Sequence, residues 1–363
     1  MKLFSAVAIL FTVVSAAGAW GFYDAMGDGS PIDGITPVQS SMGGVRALPS
    51  GWGASIFLNP AELASLPGAR INGSAALIQW RSNIFGVKDY DFLVTGNTGG
   101  MNLTAAVPLG DRLAIQAGIT RVADFGFNGV NNWVEPTSGG SYEVTVAQVL
   151  DSWGSLWETN AGIGISIAPW LDLGVSGGLR FGSGSWSLIR DVVDPDLPLA
   201  DTTIETSWEE ADACFHAGAL MAFSFGTFAF SGTNSSGRYR SLLAAGFQRG
   251  FPDIWDSTMG IEFRVQDISA KNPAYDGTMF MTIPNMMQNV TNNYSVGFKR
   301  ASDYHHTALC LGTGSQIMLG NVTLDLSVSW RSRSTSGIAV PEPGVSNVDD
   351  SGTYYSIGID WEL

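Results

Sequence analysis

The stretch VTLDLSVSW, residues 322–330, decides the fold of this chain. Every second residue is apolar from Val322 to Trp330, and the residues between them are threonine, aspartate and serine. A period of two places these two sets on opposite faces of a β-strand. An unpaired charge in a dry core is costly, so we expect the polar face to line a water-filled lumen. The stretch therefore predicts a membrane-barrel strand with its apolar set facing outward and Asp325 and Ser327 in the lumen.

The same alternation recurs elsewhere, at residues 259–265 and 355–363, and it predicts that Glu262 and Arg264 also face the water-filled lumen. Short turn signals such as Pro108–Asp111, Pro169–Trp170 and Leu319–Asn321 separate candidate strands. Longer stretches rich in glycine, asparagine, aspartate and proline occupy residues 124–140, 182–201, 268–285 and 332–352. Short turns on one rim and long loops on the other are typical of outer-membrane barrels. A soluble β-sandwich is the alternative, but it would have to bury charged residues on one strand face.

The pattern predicts an all-β protein, a transmembrane antiparallel β-barrel of about 14 strands, because single-chain barrels have an even strand count. The candidate strands begin near Arg70, Asp89, Asn102, Arg112, Tyr142, Asn160, Leu171, Trp208, Cys214, Ser241, Thr258, Thr291, His305, Val322 and Thr353.

Composition agrees with a barrel whose outer wall faces lipid. The 363 residues include 45 glycines, 11 % aromatic residues and only 14 % charged residues, against about 25 % charged residues in ordinary soluble domains. The net charge of −15 argues against nucleic acid as a partner. Much of the acid lies in stretches predicted to be solvated loops, which include Asp191, Asp194, Asp196, Asp201, Asp349 and Asp350.

The first 19 residues have the pattern of a secretory signal peptide. Lys2 supplies the positive charge, Leu3–Val14 is nearly unbroken apolar sequence, and Ala17 and Ala19 fit the small-x-small cleavage rule. A buried N-terminal helix is the alternative reading. No later stretch reaches the length of about 18 apolar residues that a spanning helix needs. We therefore expect an exported protein of the outer membrane of a Gram-negative-type bacterium, in contact with outer-membrane lipid.

Two motifs precede the first strand: SMGGVRAL at residues 41–48, and FLNPAELASLPG at residues 57–68. Asn59 suits a helix cap, Pro60 suits the first helical position, and Gly68 can end the helix. This region resembles the N-terminal region of the FadL-like (OmpP1/FadL/TodX) long-chain fatty-acid transporters. The resemblance implies a plug at residues 20–68 inside a barrel at residues 69–363. The residues of this plug motif are Met42, Gly43, Gly44, Asn59, Pro60 and Ala61.

The C-terminus resembles the last-strand signal that the barrel-assembly machinery recognises in its clients, which implies that machinery as a partner. Ser356, Gly358, Trp361 and Leu363 occupy the places of that signal. Many such barrels end in phenylalanine, whereas this chain ends in Leu363. The physical basis is strand addition, in which an exposed edge pairs with another sheet.

The resemblance implies outer-membrane transport of hydrophobic small molecules, long-chain fatty-acid-like, through the plugged barrel. The same plug motif also resembles the barrel component of the type IX secretion system, an interaction protein, which is the alternative. Neither an enzyme nor a cofactor is expected, since His305 and His306 have no accompanying serine motif. Cys214 and His216 share one strand face, but two ligands are too few for a zinc site. The sequence leaves open the ligand and the pairing of Cys214 with Cys310.

Overall fold

We describe a computed structural model of the chain. It describes residues 30–31, 35–86, 90–136, 143–193, 202–236, 241–266, 273–287, 289–301, 306–336 and 345–363. The predicted signal peptide lies outside these residues, as do residues 20–29 of the predicted plug and His305. No helix in the described ranges is long and apolar enough to cross a membrane.

Short elements come first along the chain. They are β1 (Ser30–Pro31), helix α1 (Pro37–Ser41) and two 3₁₀ helices, Trp52–Phe57 and Pro60–Ser65. Long strands follow: β2 (Arg70–Gly86), β3 (Tyr90–Pro108), β4 (Leu113–Asp124), β5 (Phe127–Pro136), β6 (Glu143–Ala168), β7 (Leu171–Val193), β8 (Thr202–Phe223), β9 (Gly226–Ser235), β10 (Ser241–Phe251), β11 (Ser257–Gln266), β12 (Ala274–Met287), β13 (Val290–Ala301), β14 (His306–Leu319), β15 (Val322–Ser336) and β16 (Val345–Glu362).

The long strands form one closed antiparallel barrel. Each pairs with its neighbour along the chain except β4 and β5, which both pair with β6, and β16 pairs with β2, with Trp361 opposite Ile71. Strand β4 pairs with the second half of β6 and β5 pairs with its first half, so β4 and β5 are two parts of one wall strand. Among the described residues the wall therefore has 14 strands, which confirms the predicted strand number and fold class.

The alternation in β15 is confirmed. Leu326, Val328 and Trp330 are 40 %, 41 % and 37 % exposed on the outer surface. Asp325 and Ser327 point inward and are 3 % and 5 % exposed. The outer wall thus carries large apolar side chains, while polar side chains face the interior.

Several strand boundaries were predicted wrongly. The expected starts near Asn102, Asn160 and Cys214 lie inside β3, β6 and β8, and no start was expected for β5, β9 or β12. Parts of the predicted long loops are strand, because β7 continues to Val193 and β16 begins at Val345. In the first part of β8 both faces are exposed at residues 203–207, so burial imposes no period of two on the sequence there.

One acidic residue assigned to a solvated loop is inside the barrel. Asp350 lies in β16, is 1 % exposed and forms an ion pair with Arg333 of β15 at 2.5 Å. Its neighbour Asp349 is exposed, as expected. Because Arg333 is its opposite residue in the strand register, the pair is formed across adjacent strands rather than at a loop tip.

The core of the molecule lies inside the barrel and is formed largely by residues 35–67, which we call the inner segment. Its apolar side chains form two clusters with inward wall residues. One cluster contains Val38, Met42 and Leu48 with Leu220 and Phe280. The second cluster joins Ile35, the two 3₁₀ helices and the residues next to these helices to β3 and β4, and contains Ile35, Ala54, Ile56, Phe57, Leu58, Leu63, Leu66, Ala106 and Ala114. The barrel wall therefore packs around the inner segment, and the two together form the core.

Candidate functional site

The inner segment turns sharply at Gly43 and Gly44, which follow α1. Both have φ of +75°, a backbone conformation that glycine adopts without steric cost. A β-carbon on Gly43 would lie 2.4 Å from the Thr278 methyl group, so the turn also needs glycine for its close approach to β12. Thr278 Oγ1 donates to the Gly43 carbonyl at 3.1 Å, and the Arg264 guanidinium donates to the Gly44 carbonyl.

The next residues of the inner segment bind a single wall carboxylate. Glu262 of β11 is fully buried and accepts three backbone N–H groups, from Arg46 at 2.7 Å, Ala47 at 2.8 Å and Leu48 at 2.9 Å. Hydrogen bonds to an ionised group are roughly twice as strong as neutral ones. With Arg264 two residues away, β11 therefore provides a charged anchor that fixes the register of residues 43–48.

Asn59 caps the second 3₁₀ helix. Its side-chain oxygen accepts the Ala61 N–H at 3.1 Å, and its side-chain nitrogen donates to the Ala47 carbonyl at 2.6 Å. Pro60 occupies the first helical position. The cap thus satisfies a helix-start N–H and also joins the two motifs of the inner segment.

The second 3₁₀ helix lies directly on wall glycines. A β-carbon on Gly174 of β7 would lie 2.1 Å from the Pro60 carbonyl carbon, and one on Gly218 of β8 would lie 1.8 Å from the Asn59 side-chain oxygen. Gly164 of β6 has the same relation to Leu63, with the β-carbons 2.7 Å apart. Any larger side chain at these places would occupy the volume of the helix, so β6, β7 and β8 hold it by shape.

Glu62 lies in the second 3₁₀ helix and binds within the inner segment. Its carboxylate accepts the N–H groups of Ser50 at 3.0 Å and Gly51 at 2.7 Å, and the Ser55 hydroxyl at 3.3 Å. Burial raises the pKa of Glu62 to about 7, against the lowering effect of the hydrogen bonds from Gly51, Ser55 and Ser50. Its protonation state therefore changes near neutral pH.

Wall amides bind the first 3₁₀ helix. Gln116 of β4 accepts the Ile56 N–H at 3.2 Å and donates to the Trp52 carbonyl at 2.7 Å. Asn102 and Thr104 of β3 both donate to the Gly53 carbonyl at 2.9 Å. These neutral bonds satisfy backbone groups that are cut off from water.

Further along β6, β7 and β8 from the glycines that contact the second 3₁₀ helix, the inward residues form a belt of polar side chains. Glu158 of β6 is 1 % exposed; it binds Arg180 of β7 at 2.7 Å and His216 of β8 at 2.6 Å. Ser176 of β7 donates to the Ile56 carbonyl at 2.5 Å, which connects this belt to the inner segment.

Further along the same strands, beyond the polar belt, the interior is lined by aromatic and aliphatic side chains. Phe125 and Trp208 have ring centroids 4.4 Å apart, and they pack with Leu156 and Ala123. Trp208 and Leu156 share the inward faces of β8 and β6 with His216 and Glu158, respectively, by the period of two. The inner face therefore carries an apolar patch, which we call the aromatic patch (Phe125, Leu156 and Trp208).

The four C-terminal residues of the predicted assembly signal lie in β16 or directly after it. Ser356 points inward and its hydroxyl is 2.5 Å from that of Ser327. A β-carbon on Gly358 would lie 3.0 Å from the Pro37 ring, so this position faces α1. Trp361 is half-buried and Leu363 is 64 % exposed, and the Leu363 N–H donates to Ala69. Their role in assembly stays a prediction.

The six predicted plug-motif residues come together only in part. Met42, Asn59 and Ala61 are buried within the barrel, whereas Gly43 contacts β12 and Pro60 contacts β7, on another part of the wall. Sequence reasoning placed Glu262 and Arg264 in the lumen without assigning them a partner. It missed the small inward residues of β6 to β8 altogether. A signal was present in β6, where Gly162 and Gly164 alternate with Ile163 and Ile165.

No protein-family model matches the chain, and no curated protein matches it. Solved structures are similar. The toluene transporter TodX of P. putida aligns with a TM-score of 0.64 and 9 % identity over 91 % of this chain and 99 % of its own. The toluene transporter TbuX of Ralstonia pickettii gives 0.63 and 14 % over the same shares. A Pseudomonas aeruginosa FadL homologue gives 0.58 and 12 % over 92 % and 99 %.

The structural similarity shows a common fold. At identities this low, a shared fold does not show that the proteins share a ligand. The chain shares the fold of the two toluene transporters and the FadL homologue.

Proposed function

We propose that this protein is an outer-membrane channel for hydrophobic small molecules, long-chain fatty-acid-like, and that its inner segment acts as the plug. The observation that carries the proposal is the filling of the barrel by residues 35–67. Val45, Ala47, Ala54 and Ile56 have no exposed surface at all. A barrel closed in this way does not serve general diffusion of polar solutes, which distinguishes it from a water-filled porin.

The outer surface supports a membrane location. Its strands expose apolar side chains at Leu326, Val328 and Trp330. A closed barrel also pairs the backbone groups that lipid cannot solvate. At the rim where β6 joins β7 and β8 joins β9, aromatic rings form a contiguous cluster, as in the interfacial girdles of membrane barrels. The rings are those of Trp170, Phe223, Phe225, Phe228 and Phe247.

The interior supports an apolar ligand. The aromatic patch lies on the inner wall toward the rim opposite the aromatic girdle; Phe125 and Leu156 are 1 % and 0 % exposed and Trp208 is half-buried, so Trp208 is the side chain of the patch that a ligand would meet. Proteins with this fold include two named as toluene transporters. An apolar molecule would bind at the patch by burial of its surface. It would then pass the inner segment when that segment shifts from its wall contacts.

Uptake measured against a polar solute tests this proposal. Cells lacking a fatty-acid carrier of their own, and producing this chain, should take up radiolabelled oleate faster than cells with an empty vector. Liposomes containing the purified protein should not swell in a small sugar, whereas a variant lacking residues 35–67 should make them swell.

Sugar permeability of the intact protein equal to that of the deletion variant would contradict the plug. An oleate rate equal to the empty vector, together with a periplasmic protein bound tightly to the purified barrel, would favour the secretion alternative.

A further inference from the structure

Three side chains of different metal-binding kinds meet on the inner wall. Glu158 comes from β6, and Cys214 and His216 come from β8. One thiol sulfur, one ring nitrogen and one carboxylate oxygen all lie within 4.8 Å of one another. The three residues are 1 %, 0 % and 3 % exposed. The sequence shows only the two ligands on β8, and the third comes from a strand that is two places away in the barrel.

The strand register explains why β6 and β8 can meet across β7. Cys214 is opposite Gly178, and Gly178 is opposite Asn160. A β-carbon on Gly178 would lie 2.3 Å from the Asn160 side-chain oxygen, so the missing side chain leaves room for Asn160 to cross. The Cys214 sulfur lies 3.3 Å from that oxygen. The glycine in β7 therefore lets side chains of β6 and β8 contact each other across β7.

Outer partners orient two of the ligands. Arg180 donates twice to one carboxylate oxygen of Glu158, at 3.1 Å and 2.7 Å, and the other oxygen is turned toward His216 Nε2 at 2.6 Å. The Thr233 hydroxyl lies 2.9 Å from His216 Nδ1 and directs Nε2 inward. Metal sites in proteins use such partners to fix the ring and carboxylate orientation of their ligands.

We propose that Glu158, Cys214 and His216 bind one Zn²⁺ ion. Thiolate, imidazole and carboxylate are the ligand types of zinc, whereas calcium and magnesium prefer oxygen alone. Three protein ligands leave a fourth tetrahedral position for water. Binding releases the thiol proton of Cys214 to solvent, and the proton between His216 Nε2 and Glu158 moves to Nδ1, where the Thr233 hydroxyl oxygen accepts it; no oxidation state changes. The thiolate and Glu158 offset the charge of the ion, and Arg180 keeps its bonds to the outer carboxylate oxygen.

The site is directly connected to the inner segment. Asn160 donates to the inner oxygen of Glu158 at 2.7 Å and to the Ile56 carbonyl at 3.3 Å. An ion bound to this oxygen of Glu158 would replace the hydrogen bond from Asn160. The Asn160 side chain would then donate only to the Ile56 carbonyl. Zinc is therefore expected to tighten the first 3₁₀ helix against the wall. The inference does not depend on what the barrel transports.

Cobalt substitution tests the site in the purified full-length protein after treatment with a chelator. Titration with Co²⁺ should release a proton and give a thiolate-to-cobalt charge-transfer band that saturates at one ion per chain, and Zn²⁺ should displace the Co²⁺ and remove the band. Cys214→Ser should abolish the band. His216→Gln should weaken Co²⁺ binding at least about tenfold, and Thr233→Val should weaken it by about tenfold, as the loss of an outer partner does.

Cys310→Ser is the matched control, because Cys310 is the other free cysteine and lies on β14. This variant should keep the band unchanged, and the shift of the folded barrel on unheated gels checks the fold of each variant. A wild-type protein without the band overturns the proposal, as does a band that survives Cys214→Ser or disappears in Cys310→Ser. If Cys214→Ser does not fold, the binding constants of His216→Gln and Thr233→Val decide, and wild-type affinity in both overturns it.

Discussion

The wall holds the inner segment in two different ways on its two sides. On β11 and β12 it uses charge, since Glu262 and Arg264 bind the backbone of residues 43–48. On β6 to β8 it uses shape, since Gly174 and Gly218 admit the second 3₁₀ helix within contact distance. The charged side specifies register, and the glycine side specifies how deeply the helix is seated.

This difference indicates which side can release. Separating Glu262 from three N–H groups would leave a buried carboxylate without its hydrogen-bond donors from the inner segment, which is costly. Separating the second 3₁₀ helix from Gly174 loses mainly van der Waals contact, which is weak per atom pair. We therefore expect residues 43–48 to stay attached to β11, while the second 3₁₀ helix on β6–β8 and helix α1, whose Ser40 contacts Ser329 through neutral hydroxyls, slide when a solute passes.

The largest effect is expected from Gly174→Val. A β-carbon there would lie 2.1 Å from the Pro60 carbonyl carbon, so the helix cannot keep its seat. Overpacking of this kind costs about 3 kcal/mol or more. Limited proteolysis should cut the inner segment of the variant rapidly while the barrel still resists heating in detergent. Gly250→Val is the matched control, since nothing lies within 4 Å of a β-carbon on Gly250, and it should be cut like wild type.

Glu262→Gln should come next. It removes the charge that accepts three N–H groups, while Arg264 keeps its ion pair with Asp276, so we expect a loss of about 3 kcal/mol in local stability. Hydrogen exchange of a peptide covering residues 43–48 measures it. Asp325→Asn is the control, because Asp325 is an equally buried wall carboxylate whose hydrogen bond goes to Gln316 of the wall. Equal exchange in both variants would show that the charge of Glu262 does not anchor residues 43–48.

The architecture could be predicted from the sequence because burial acts on it strand by strand. Val328 and Trp330 face outward and Asp325 faces inward, and this requirement gives β15 its period of two. The Asn59 cap is a local interaction, so three adjacent residues are enough to indicate it.

The site could be predicted only in part because its contacts cross large sequence separations. Glu262 meets Ala47 across 215 positions, and Glu158 meets His216 across 58. No periodicity encodes which inward residue of one strand lies beside which residue of the inner segment. A single sequence shows that Glu262 faces the lumen, but not what it binds there.

Glu62 should give the inner segment a pH dependence. The pKa is raised from 4.5 to about 7 in the folded protein, so the seated state binds the proton more tightly than the released state. Stability of the seated segment is therefore highest at low pH, falls as pH rises between these two values, and is level above them, over a range of up to about 3 kcal/mol. Hydrogen exchange of residues 50–62, corrected for intrinsic rates, measures this. Glu62→Gln should remove the slope, and a slope that persists would assign it to another group.

The smallest effect is expected from Asn59→Ala. Loss of a helix cap costs about 1 kcal/mol. Exchange at Ala61 should increase, with a further effect on residue 47 because Asn59 also binds its carbonyl. Asn59→Asp should restore exchange at Ala61, since its carboxylate can still cap, and should leave the contact to residue 47 unmade. Equal exchange in both variants would show that the cap contributes nothing.

A disulfide between the inner segment and the wall tests most directly whether transport requires the segment to move. The hydroxyls of Ser40 in α1 and Ser329 in β15 are 3.2 Å apart, so cysteines at both positions can bond in a chain whose native cysteines are replaced by serine. Oleate uptake should be about tenfold lower when this disulfide is formed, and it should recover after reduction. A wall-to-wall pair at Ser327 and Ser356, whose hydroxyls are 2.5 Å apart, should leave uptake unchanged. Equal uptake by the oxidised and reduced forms of the Ser40–Ser329 pair would contradict the moving plug.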